Sequence, residues 1–268
     1  HRLRRRCWSG ALDLFKRKIS ILAVEPYLKM RRVRPMLELA DINSFYGKAH
    51  VLNDLSLSVK AGQVVSLLGR NGAGKTTTMK SIMQLVVPKT GLVTFQGVPI
   101  AGLAPHKVAK MGIGYVPEER RIFTDLTVLE NLEVGRQPPR SDTVTWTYDM
   151  LFDLFPNLAE RRGNRGREMS GGEQQMLTIA RTLMGNPRFL LLDEPSEGIA
   201  PVIVEQMIKI ILQLKSEGLT VLISEQNLHF AQAVSSHAVI IESGVGKYAG
   251  SFADLDQQPE IRDAYLSV

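Results

Sequence analysis

Cysteine is almost absent from this sequence. Its single thiol, Cys7, has no second cysteine to pair with. No internal disulfide can form, which suits a reducing compartment. Long apolar runs are missing too, since none approaches the ~20 residues of a membrane-spanning helix. Residues 19–24 are apolar but interrupted by Ser20. They are too short for the apolar stretch of about 7–15 residues in a secretory signal. There is no internal repeat, and no low-complexity segment beyond a basic stretch at the start.

Basic charge is likewise missing from most of the chain. The net charge is +6, but residues 1–35 hold eleven Lys or Arg against only Asp13 and Glu25. That segment is +9, and residues 36–268 carry 22 basic and 25 acidic side chains, or −3. The globular part is therefore not a basic, nucleic-acid-binding body. The compositional break falls at Pro35-Met36, which separates a basic extension, 1–35, from one domain, 36–268. Three readings of the extension stand: residues ahead of a true start at Met36, a disordered basic tail, or a short amphipathic helix on an anionic membrane face. Deleting it is expected to leave catalytic function intact. With 268 residues, 44% hydrophobic and 22% charged, the chain has the composition of a soluble globular protein with a full core.

Gly69-Arg70-Asn71-Gly72-Ala73-Gly74-Lys75-Thr76 fits the P-loop pattern G-x-x-x-x-G-K-[ST] without a mismatch. Residues 64–68 read as a buried strand leading in. Residues 77–85 read as a helix leading out, with Met79, Ile82, Met83 and Val86 on one apolar face. Glycines let the backbone wrap a phosphate with its N–H groups inward, and the helix start adds its positive end. Lys75 can reach the β- and γ-phosphates, the Thr76 hydroxyl can ligate Mg²⁺, and Thr77 continues the loop into the helix. A nucleotide with Mg²⁺ is the expected ligand pair.

Other segments alternate in the same style. Residues 37–42, 55–59, 92–95 and 113–116 read as strands, and 106–110 as a short helix. Residues 124–185 read as a mostly helical insertion, with Thr127 and Glu130 placed for a capping box. Residues 161–167 read as a solvated basic loop. Strands at 189–192, 220–223 and 238–241 then alternate with helices at 201–214 and 228–234. Gly244 and Gly246 read as a closing turn.

Asp193 and Glu194 close an apolar strand. Two adjacent carboxylates there are costly unless they face a charged ligand. Asp193 is expected to hold Mg²⁺ and Glu194 to polarise the attacking water. Met169-Ser170-Gly171-Gly172-Glu173-Gln174-Gln175 opens a second helix with a hydroxyl and two glycines, a second anion-binding start. One nucleotide needs one P-loop, so this second site suggests a nucleotide held by another subunit.

P-loop, Ser-Gly-Gly-Glu-Gln and Leu-Leu-Leu-Asp-Glu-Pro, in this order, resemble the nucleotide-binding subunit of an ABC transporter, over essentially all of 36–268. The resemblance implies an α/β fold: a P-loop NTPase core with an antiparallel β subdomain and a helical subdomain. It makes the nucleotide ATP and implies a head-to-tail dimer in which that ATP lies between the P-loop of one subunit and Ser170, Gly171 and Gly172 of the other. Tyr46 sits where the family stacks an aromatic on adenine, and residues 196–200 match the loop that crosses to the other subunit. Glu118 replaces a glutamine that senses the γ-phosphate, with Mg²⁺-bound water within its reach. Gln226 stands where the family usually has a histidine; it cannot become a cation. Turnover is thus expected to lack a pH step near ~6.5 from that position. Residues 115–123, 196–201 and 225–227 resemble the smaller ATPase of branched-chain amino-acid importers, and urea and short-amide importers share this wording. The implied partners are a second, different ATPase subunit (with a homodimer as the alternative), two membrane permeases and, indirectly, a periplasmic binding protein, at the cytoplasmic face of a bacterial inner membrane. Nucleic acid is not among them. One rival reading is an ATPase of the same superfamily acting on nucleic acid, which needs a long coiled-coil insertion or two tandem ATPase domains. The other is an exporter ATPase, which the resemblance at 115–123 disfavours.

Overall fold

The computed structural model describes residues 35–266; the readings of the basic extension fall outside them, save for Pro35. Strands β1 (Leu37–Tyr46) and β2 (Ala49–Val59) alternate buried and exposed residues, as a one-sided antiparallel sheet requires. They join β4 (Thr90–Phe95) and β5 (Val98–Pro99) in the order β2-β1-β4-β5. The second sheet has the order β10-β9-β3-β8-β7-β6. Its members are β3 (Val64–Leu68), β6 (Ile113–Val116), β7 (Phe189–Asp193), β8 (Thr220–Glu225), β9 (His237–Glu242) and β10 (Val245–Ser251). β6, β7, β8, β3 and β9 run parallel, and β10 is antiparallel at the edge. β3, β7 and β8 are buried at every residue, hence their mostly apolar sequences, with polar residues gathered at the ends of β7 and β8.

Period-two alternation splits the core. Leu190, Leu192, Val221 and Ile223 face one hydrophobic cluster. Phe189, Leu191 and Leu222 face a second, which includes Leu37, Leu55 and Phe95 of the antiparallel sheet. The helices are α1 (Lys75–Ile82), α2 (Pro105–Lys110), α3 (Val128–Gly135), α4 (Tyr148–Leu154), α5 (Pro156–Glu160), α6 (Gly171–Leu183), α7 (Pro201–Ser216), α8 (Leu228–Val234), α9 (Phe252–Asp256) and α10 (Pro259–Leu266). α6 buries Met176, Ile179, Ala180 and Leu183, and α7 buries Met207, Ile210, Ile211 and Leu214, each at helical spacing against the first cluster. The Thr127/Glu130 capping box is present, with Thr127 N–H 2.7 Å from Glu130 Oε2. A third cluster joins Leu68 at the end of β3 to Phe252 and Leu255 of α9.

Three local readings are corrected. α1 starts at Lys75 and stops at Ile82, rather than spanning 77–85. Gln84 turns left-handed at φ 59 and its side chain donates to Ser81 O, so the chain leaves the helix and Leu85 is exposed. Gly246 lies within β10; the turn is Ser243-Gly244, at φ 49 and 79, the positive-φ pair of a tight hairpin. Residues 161–167 are more than a solvated loop: Arg161 pairs with Glu173, and Gly166 is buried at the start of a short 3₁₀ turn.

Candidate functional site

The register places the ends of three buried strands side by side. Leu68 pairs with Glu225, and Asp193 with Ser224. The glycine loop leaves β3 at this edge, where strand order reverses and parallel sheets hold their ligands. Gly69 has no room for a side chain, because a Cβ would overlap the Ile241 carbonyl oxygen. Gly74, at φ 111, precedes Lys75 in a conformation that other residues rarely adopt. Arg70, Asn71, Gly72 and Ala73 form the turn between them, closed by Ala73 N–H on Arg70 O at 3.1 Å. The first amides of α1, including those of Thr76 and Thr77, face this turn as the unpaired end of a helix.

Lys75 is buried, and its ammonium is fully engaged. Its Nζ lies 2.7 Å from Gly69 O, 3.0 Å from Arg70 O and 3.1 Å from Glu194 Oε1. Thr76 Oγ1 donates to Asp193 Oδ1 at 3.2 Å. Asp193 also accepts from Ser224 Oγ at 2.6 Å and from Tyr115 OH at 3.1 Å. Burial pushes the Asp193 carboxyl above the usual carboxylate range, and the three hydroxyls act against that push. Burial, and then the Asp193 charge, push the Tyr115 hydroxyl up. A hydroxyl and a carboxylate at this separation form a hard oxygen pair of the kind that holds Mg²⁺ together with phosphate and water.

Glu194 sits at φ 47, a strained backbone costing on the order of 1–3 kcal/mol. Its N–H is held by Ser224 O at 3.1 Å and Ser224 Oγ at 3.0 Å. A hydrogen bond to Glu194 is the main reason the Glu197 carboxyl is pushed up to about 7, with burial and the charges of Glu194 and Glu118 adding to it. Glu118, two residues beyond β6, is also raised, first by burial and then by the Glu194 and Asp193 charges. Gln226 is exposed just past β8. Tyr46 closes β1 and is 48% exposed, with room for a ring to stack on it.

Ser170 lies elsewhere in this arrangement. It caps α6, and its hydroxyl is taken by Glu173 Oε2 at 2.8 Å. Gly171 lies against the Arg120 guanidinium, and Gly172 against Ile203 of α7, where a Cβ would meet Cγ2 at 2.9 Å. The structure thus brings Lys75, Thr76, Asp193 and Glu194 together, while the contacts of Ser170, Gly171 and Gly172 are with Glu173, Arg120 and α7. The sequence assigns no role to Tyr115, Ser224 or Glu225, although the first and last lie in segments that carry the family resemblance. A signal existed for the last two: Ser224-Glu225 ends an apolar strand with polar residues, as Asp193-Glu194 does.

A parallel sheet with a glycine loop after its central strand, a buried lysine and two strand-end carboxylates define a P-loop nucleoside triphosphatase. Residues 52–197 match the sequence model of the ABC transporter family. The chain is 42% identical over 231 residues to BraG of Pseudomonas aeruginosa, a high-affinity branched-chain amino acid transport ATP-binding protein, covering 86% of this chain and 99% of that one. It is 37% identical over 223 residues to LptB of Haemophilus influenzae, a lipopolysaccharide export system ATP-binding protein, covering 82% and 92%. The solved structure of MJ1267, an ATP-binding cassette of an ABC transporter, superposes with a TM-score of 0.72 at 26% identity, over 86% of this chain and 98% of that one. The chain belongs to the ABC transporter family, as an ATP-hydrolysing subunit.

Proposed function

We propose that this ATPase powers uptake of branched-chain amino acids from the cytoplasmic face of a bacterial inner membrane. The supporting observation is the identity with BraG, which runs the full length of that protein. In this reading 36–268 is the ATPase domain. The loop 69–76 and Thr77 hold the phosphates, and Tyr46 stacks on the base. Thr76 and Asp193, with Glu118 nearby, would hold Mg²⁺, which would supply charge stabilisation at the phosphoryl group. Glu194 takes the proton of the attacking water, after ATP has drawn Lys75 away from it. Gln226 orients that water. Ser170, Gly171 and Gly172 of one subunit complete the site of a second ATPase subunit. This fits the separation of α6 from the glycine loop's contacts.

Two permeases would receive the motion, with a periplasmic binding protein beyond them. Among the described residues no helix is long and apolar enough to cross a membrane, so the membrane path would be theirs. The similarity to LptB favours a second reading, lipopolysaccharide export. Liposomes carrying the ATPase and its copurified membrane subunits separate the two. Import predicts ATP turnover stimulated by a binding protein loaded with leucine, isoleucine or valine. Stimulation by lipopolysaccharide alone would replace the import reading.

A further inference from the structure

Glu225 is buried to 2% exposure yet makes no ion pair among the described residues. Instead it collects backbone N–H groups from two separate loops. Oε1 accepts from Ser196 N at 3.1 Å, and Oε2 accepts from Gln226 N and Asn227 N, each at 3.2 Å. Ser196 lies two residues past Glu194. Gln226 and Asn227 form the turn that leads into α8, where the Asn227 side chain caps Phe230 N–H at 3.1 Å. A carboxylate that is acceptor-only on both oxygens is the one side chain of this length able to take all three bonds. Such charge-assisted bonds are stronger than neutral ones.

We infer that Glu225 is a positioning residue for ATP hydrolysis: its carboxylate fixes the loop carrying Gln226 to the loop that follows Glu194, and so sets the water-orienting amide against the general base. This rests on the site proposed above. The preceding residue makes the same link at shorter range. Ser224 bonds Asp193 and the Glu194 N–H, so the end of β8 holds the end of β7 at two consecutive residues. Glu225 itself touches neither nucleotide nor metal in this reading. It differs from Asp193 in that main-chain N–H donors of both loops hold it, with the Ser196 side chain adding to them.

The test is Glu225→Gln in the full chain. An amide has the same shape but presents an N–H₂ to at least one N–H donor, so one of the two loops is released. Expected are a kcat lowered about 10–100-fold, the cost of a misplacement near 1 Å, and a KM for ATP unchanged within about twofold. Faster hydrogen exchange at the Ser196 or Gln226 amides should accompany it. In a Gln226→Ala background the same substitution should cost little more, because the two act as a unit. Glu225→Asp keeps the charge and shortens the reach, and a kcat loss at constant KM is expected there too, should the first variant not fold. An unchanged kcat, a parallel loss of ATP affinity, or an equal loss in the Gln226→Ala background would overturn the inference. Glu194→Gln run alongside separates the two levels. If Glu194→Gln hydrolyses ATP normally, the site reading fails. If it is inactive while Glu225→Gln is normal, only the positioning role fails.

Discussion

Lys75 Nζ and Glu194 Oε1 form a buried ion pair at 3.1 Å. The residue expected to hold phosphate is thereby held by the residue expected to activate water. Removing one partner of such a pair strands the other. Lys75→Ala should abolish ATP binding and destabilise the free protein by about 3 kcal/mol. The double variant Lys75→Ala/Glu194→Gln should lose clearly less than the sum of the singles in urea denaturation. Strict additivity would mean that the pair contributes nothing to the fold.

Glu194→Gln keeps the size of the side chain and removes the base. Turnover should fall by roughly 10²–10⁴-fold, with ATP bound in a long-lived paired state. Affinity for ATP should rise, because the amide competes less for Lys75. Near-normal hydrolysis, measured as phosphate release, would remove Glu194 from its role.

Gly69→Ala sets a methyl against the Ile241 carbonyl oxygen, with the Ala73 and Ile241 side chains also crowding it. The strain should cost about 2 kcal/mol, together with loss of ATP binding as the loop shifts. Gly72, with open space around its missing Cβ but φ 79, should lose less, near ~1 kcal/mol on substitution by Ala. A reversed order of the two melting temperatures would contradict this account of the loop.

The raised carboxyls give stability a defined pH slope. Folded Glu197 keeps its proton up to about 7, whereas its ordinary value is 4.5. Between those values the folded chain binds more protons than the unfolded one, so stability falls as pH rises through that window. Glu118, Asp193 and Glu225 are shifted in the same direction. Glu197→Gln should flatten the slope and be more stable than the parent above pH 7, by a small margin because Glu197 is exposed and screened by water. Urea midpoints at pH 5 and pH 8 check it; a steeper slope in the variant would reverse the assignment.

Buried strands and one-faced helices were legible because burial leaves a periodic trace. The runs at 64–68 and 189–193 and the spacing of Met176, Ile179, Ala180 and Leu183 each predict their element directly. Helix ends were less so. Nothing in the composition of residues 82–87 says that Gln84 turns left-handed and stops α1. The Lys75–Glu194 pair was also hidden, since 119 positions separate the two residues in the chain and only the strand register brings them together. Tyr115 escaped notice for the same reason. Its hydroxyl matters through Asp193, on the neighbouring strand.

Leu68, the last residue before the glycine loop, shares its apolar cluster with Phe252 and Leu255 of α9. The loop's footing is therefore laid in part by α9, which begins 184 positions beyond Leu68 in the chain. During synthesis the loop is made well before that support, so a chain translated only through Ser251 lacks one wall of the loop's apolar seat. Premature termination ahead of Phe252 would accordingly yield a product with every residue proposed to touch phosphate in place and a weakened grip on ATP.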